Sequence, residues 1–236
     1  MGDDDVRSID AAEAGAATSL HDPRVLQILS TEHWSLLSAR SLAYNEAFTR
    51  GGMFLAFLSF SFVALALVAQ AIPFTSDFLL VVVVVLTIDL VVGLTTYGRI
   101  IRANYEDYVA VHGMARIRHA YGEIAPVLLP YFTTSMHDDL AGVMVTYGDP
   151  PTRGLGAVVY QLTTSGGMIG LIVSMVGGVL ALAVALAVGG SVPVAFGLAA
   201  VAALAIFIAL AVITVRFYAG VQARLQVLFP SPEPTS

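Results

Sequence analysis

Apolar positions along the chain follow two patterns: in one they recur every third or fourth residue, and in the other they run on without a break. The first pattern opens at Asp22-Pro23, where an acceptor side chain followed by proline marks a helix start. From there Leu26, Leu29, His33, Leu36, Arg40, Ala43 and Ala47 fall on one face of a helix over 23–50. The second pattern follows at once. Gly51 to Ile72 carries no charge, and a hydrocarbon core of about 30 Å takes about 20 residues to cross. Pro73 to Asp77 reads as a tight turn, and 78–98 is a second apolar run interrupted only by Asp89.

Three-and-four spacing then returns with Ile101, Tyr105, Tyr108, His112, Ala115, His119 and Gly122. Pro126 and Pro130 break the pattern beyond it. Ser135 with Asp138 forms a capping-box-like start for a short helix ending near Tyr147, and Gly148 to Gly154 reads as a loop. No charged residue occurs from Gly154 to Val215, which is too long for one crossing. Gly189 to Pro193 supplies a turn that divides it into 164–188 and 194–215.

The expected fold is therefore an all-α integral membrane protein with four transmembrane helices arranged as two hairpins. Its crossings are 51–72, 78–98, 164–188 and 194–215. A cytoplasmic helical region spans 99–157, and tails cover 1–22 and 216–236, disordered in 1–22 and after Phe229. A helix unbroken from Pro23 to Ile72 would run about 75 Å at about 1.5 Å per residue, more than a bilayer holds. The first two helices are thus expected to extend into a cytoplasmic stalk and pack as a coiled coil. The alternative is a bend at Gly51-Gly52 that lays the first helix on the bilayer surface. Such helices are rich in basic residues, whereas this one balances Arg24, Arg40 and Arg50 against Glu32 and Glu46.

Composition agrees with lipid as the solvent: 57% of residues are hydrophobic and only 12% charged, about half the charge of a soluble domain. A net charge of -6 excludes the concentrated basic face of a nucleic-acid binder. The absence of cysteine excludes disulfides, thiolate metal sites and a cysteine nucleophile. All 11 basic residues are arginine, which with the abundant Ala, Val and Gly points to a bacterial genome of biased nucleotide composition. Neither short turn contains one, so the positive-inside rule puts both termini and the central region in the cytoplasm of a multi-pass inner-membrane protein.

Candidate chemistry is sparse. Asp89 is an acid within a crossing, with Gly93 and Thr96 on its face. Such acids mark ion or proton paths, or else act as hydrogen-bonded packing residues. Gly166, Gly170, Ser174 and Gly178 repeat a small residue every fourth position, a face that lets helices approach within the chain or between copies. His33, Arg40, His112, His119 and Glu123 fall on or beside the stalk seams, where they set register or sense pH. His119 and Glu123 are one turn apart, the spacing of a metal pair, but no zinc motif accompanies them and no metal or other cofactor is expected. His137, Asp138 and Asp139 read as residues of a helix start.

No phosphate loop, dinucleotide fingerprint or nucleophile elbow occurs, so the expectation is a non-enzymatic, homo-oligomeric assembly whose stalk binds itself or a cytoplasmic partner. Its partners are the lipid bilayer, further copies and an unidentified cytoplasmic protein, and the assembly could enclose an ion pore. The alternative is a small ion-coupled transporter using Asp89. In topology alone, with no residue motif behind it, the plan resembles uncharacterised four-span bacterial membrane proteins and the small membrane effectors of nucleotide-signalled defence.

Overall fold

The uncharged runs and the three-and-four patterns both become helix in the computed structural model, which describes residues 20, 22–71, 75–148 and 154–232. Two long helices come first, α1 (Pro23–Ala71) and α2 (Ser76–Ile124). A 3-10 turn (Pro126–Tyr131) and three shorter helices follow, α3 (Leu140–Thr146), α4 (Gly154–Thr163) and α5 (Ser165–Ala187). The last is α6 (Val192–Gln222). There is no strand among the described residues. Four helices, α1, α2, α5 and α6, are long and apolar enough to cross a membrane. Residues 1–19 and 21 of the N-terminal tail, 72–74 at the start of the turn at Pro73, the loop at 149–153 and the last residues 233–236 lie outside the described residues.

Helix ends follow local chemistry. Thr164 caps α5 by accepting a 3.0 Å hydrogen bond from the Gly167 N–H, which separates α4 from α5 where the sequence predicts the third crossing to begin. Gly189, in the left-handed region at φ 83°, closes the other end. Pro193 then sits in the first turn of α6, where its missing N–H costs nothing. The capping expectation at Ser135 needs correction. Asp139 is the N-cap of α3 and accepts from the Gly142 N–H at 2.9 Å, while Ser135 accepts from the His137 N–H. An aspartate one residue before the helix takes the free N–H more directly than a serine five residues before it.

The chain forms two compact units. One comprises residues 41–107 and 150–226 and holds the apolar core. On α1 its buried positions are Ala43, Ala47, Gly51, Phe54 and Leu58. The helix passes through Gly51-Gly52 without a break, so these glycines do not end it as the surface-lying alternative would suggest. On α2 a buried stripe runs through Leu86, Asp89, Gly93, Thr96, Ile100, Ala103 and Asp107 with steps alternating between three and four, and Phe78, Tyr97 and Ile101 are buried as well. Ile169, Val173 and Val176 of α5 complete the core, and α5 also packs along α6.

The other unit comprises residues to 40, 108–149 and from 227. Here α2 is covered on two faces. The predicted stripe is buried at Tyr108, His112, Ala115 and Gly122, and a second stripe at Ala110, Met114 and Ile117 is buried as well. On α1, Leu29, His33, Leu36 and Arg40 are half-buried, whereas Leu26, expected on the same seam, is exposed. Leu36 lies against Gly113, where a Cβ would come within 2.9 Å of its methyl group.

The expected tail at 216–236 also changes. Helix α6 continues to Gln222, and Leu228, Phe229 and Ser231 are hydrogen-bonded to Asp138 and Asp139, so the segment just past Phe229 is ordered. Its proline-rich composition conceals this because the ordering groups lie about ninety positions earlier in the chain.

Candidate functional site

Asp89 sits on the inner stripe of α2 and is fully buried. Ser61 of α1 donates to its Oδ1 at 2.8 Å, and Oδ2 has no hydrogen-bond partner. A turn away, Gly93 lets three helices meet: a Cβ there would come within 2.7 Å of Val173 on α5 and 2.9 Å of Phe54 on α1. Thr96 is buried on the same stripe. This arrangement ties α1 to α2 in an apolar interior, and it also leaves one carboxylate oxygen free.

The small residues of α5 face neighbours within the chain. A Cβ at Gly170 would meet the Tyr97 ring at 2.9 Å, one at Gly166 would meet Ile101 at 3.1 Å, and one at Gly178 would meet the Ala199 carbonyl and the Ala203 methyl group. Ser174, buried between them, donates back to the Gly170 carbonyl at 2.7 Å. Absent side chains thus let α2 and α6 close onto α5.

A charged cluster that spacing did not reveal lies where α1 and α2 leave the apolar runs. Arg99 grips both oxygens of Glu46, through Nε at 2.7 Å and through Nη2, and reaches Glu106 at 3.4 Å. Arg50 adds a 2.9 Å contact to the same carboxylate. Hydrogen bonds from Arg99 and Arg50 push the Glu46 carboxyl down to about 2. The interhelical half of this cluster depends on the alignment of two helices, which no single-helix periodicity contains.

The other unit is built around Asp138, also fully buried. Arg116 Nε donates to Oδ2 at 2.7 Å, the Phe229 N–H donates to Oδ1 at 2.7 Å, and the Leu228 N–H reaches both oxygens. Burial alone would raise this carboxyl, but the two backbone donors and Arg116 outweigh it and hold the group below its ordinary value. Asp139 is likewise held down by the Gly142 N–H and by Ser231, against the effect of burial. Two adjacent acids therefore clasp the 228–231 segment.

The candidate register and pH residues gather in this unit. His112 Nδ1 is 3.9 Å from Asp138. Its pKa is lowered by burial first and by Arg116 second, with Asp138 pulling the other way. His119 stacks on Phe229 with centroids 3.8 Å apart and faces Glu123 at 3.5 Å. His33 stacks on Tyr121 at 6.0 Å and is lowered by burial and by Arg118. Arg118 is itself lowered by burial and by the nearby Arg40. Among the described residues no three His, Asp or Glu side chains are grouped to hold a metal ion.

Two cavities flank the contact between α2 and α6. One of about 380 Å³ is lined by Tyr97, Gly166, Gly170, Phe207 and Tyr218, and one of about 340 Å³ by Leu94, Gly98, Ile101, Ile213 and Phe217, with Arg102. Asp89 lines neither. Comparison of the chain with protein-family models, curated proteins and solved structures finds no match.

Proposed function

We propose that this chain is a non-enzymatic, homo-oligomeric assembly protein of a bacterial inner membrane, with both termini and the 99–157 region in the cytoplasm. The two 49-residue helices exceed the roughly 20 residues a bilayer accommodates, and the remainder of each forms a cytoplasmic stalk. The observation that carries the reading is the outer face of α1 before its apolar run. There Leu26, Trp34 and Leu37 share a side and are exposed, Trp34 at 66%. A membrane helix exposes such residues to lipid at no cost, but a stalk in water does not, and a second copy burying them supplies the driving force for assembly. A pore enclosed by the assembled crossings is the stronger form of this reading.

The test is mass measurement of the full chain in detergent beside a Trp34→Glu, Leu37→Glu variant. The wild type should be a defined oligomer, and the variant should shift to monomer with its helix content retained. A monomeric wild type removes the reading.

A second reading, a small ion-coupled transporter, is favoured by the bare Oδ2 of Asp89. Flux measured in liposomes across a pH series, abolished by Asp89→Asn in a monomeric protein, would put that reading in place of the first.

A further inference from the structure

Near the end of the second apolar run, α2 and α6 touch through a narrow polar column. The Tyr97 hydroxyl lies 2.6 Å from the Thr214 hydroxyl and donates to the Leu210 carbonyl at 3.3 Å. One level further on, Tyr105 meets Phe217 edge to face at 5.6 Å. On one side of this column the helices leave the groove of about 340 Å³ lined by Leu94, Ile101, Ile213 and Phe217. Gly98 helps to open it, since a Cβ there would meet nothing within 4 Å. The groove is lined mainly by apolar side chains together with Tyr97 and Thr214 of the column, and Arg102 is the charged residue in its lining. From Leu94 to Arg102 it follows about 12 Å of helix.

The arginines near this level divide into two groups. Arg99 is neutralised by Glu46 and Glu106, and Arg50 by Glu46. Arg102 and Arg216 have no ion-pair partner among the described residues. Arg216 precedes the groove-lining Phe217 and lies about 60° around α6 from Ile213. The groove lining thus holds one uncompensated guanidinium, Arg102, and a second, Arg216, lies at the same level of α6 just past the predicted boundary of the hydrocarbon core.

We infer that the α2–α6 groove is a binding site for an anionic phospholipid, with its phosphate on Arg102 and one acyl chain lying between Ile101, Ile213 and Leu94. A guanidinium takes a phosphodiester through two parallel N–H donors, and an acyl chain requires only apolar walls. Two uncompensated positive charges favour a headgroup of net negative charge and disfavour one that carries its own cation. The inference rests on the four helices lying in lipid and is independent of assembly.

The test is native mass spectrometry of the full chain in detergent, titrated with phosphatidylglycerol or phosphatidylcholine. The wild type should retain phosphatidylglycerol at least about fivefold more tightly, the scale of one interfacial arginine. Arg102→Gln should bring it down to the phosphatidylcholine level. Ile213→Trp, which fills the groove, should weaken both lipids, and Arg224→Gln, outside the groove, should change neither. Equal retention of the two lipids by the wild type overturns the site. So does an equal loss in Arg102→Gln and Arg224→Gln, which would mean diffuse surface attraction. If Ile213→Trp dissociates an oligomer and leaves lipid retention unchanged, the groove belongs to a second copy and the lipid site is overturned.

Discussion

Asp89 and Asp138 are both fully buried aspartates, yet the two units treat them in opposite ways. Around Asp138 the chain brings an arginine and two backbone N–H groups from the 228–229 segment, so each oxygen has charged or backbone donors. Around Asp89 it brings one serine hydroxyl, and the second carboxylate oxygen has no hydrogen-bond partner. A buried acid surrounded by donors holds its unit together, and removing it leaves those donors stranded. A buried acid with a single neutral donor contributes little to stability, so its presence calls for another reason.

Four measurements bear on that contrast. The largest effect is expected from Asp138→Ala, which removes the acceptor of Arg116 Nε and leaves the Leu228 and Phe229 N–H groups without this carboxylate. It should cost about 3–5 kcal/mol in denaturant unfolding and raise hydrogen exchange at 227–231. A loss below 1 kcal/mol would remove the distinction between the two acids. Gly93→Ala should cost about 1–3 kcal/mol, because the added methyl group must displace Val173 or Phe54. A neutral result would show that the three helices are less closely seated than described.

Mild acidification should loosen the Asp138 unit, which holds His33, His112, His119 and His137. The folded values of His33 and His112 lie below the ordinary 6.5, so the unfolded chain takes up protons first. Their contribution is complete above pH 6.5 and is lost as pH falls through the folded values. Hydrogen exchange at 108–122 should therefore rise as pH falls below 6.5 while exchange at 80–98 does not rise. Equal rises in both would contradict the assignment. The smallest effect is expected from Ser61→Ala, about 0.6 kcal/mol, the usual worth of an interhelical hydrogen bond in lipid. A loss of several kcal/mol would move Asp89 into the class of Asp138.

What could be read from the chain beforehand follows the same division. The four apolar helices were legible because lipid imposes length and composition on each helix separately. The seam at Leu29, His33, Leu36, Arg40, Ala43 and Ala47 was legible because one face of α1 is covered. On α2 the predicted stripe through Tyr108, His112 and Ala115 was only half of what is buried. With two faces covered, the Ala110, Met114 and Ile117 stripe competes with it and no single period stands out. His137, Asp138 and Asp139 looked like helix-start residues, and Asp139 is one. The role of Asp138 depends on residues ninety positions away, beyond the reach of any local pattern. The Glu46–Arg99 pair was hidden for a related reason, since it joins two helices whose alignment a single sequence does not state.

The clasp on residues 228–231 also imposes an order on biogenesis. The Asp138 carboxyl leaves the ribosome well before its backbone donors, and the whole of α5 and α6 is synthesised in between. Until residues 228 and 229 have been synthesised, Arg116 is the only one of these donors that Asp138 can have. Closure of this unit is therefore a late event in synthesis, and a chain stalled before α6 would lack the Leu228 and Phe229 donors to Asp138.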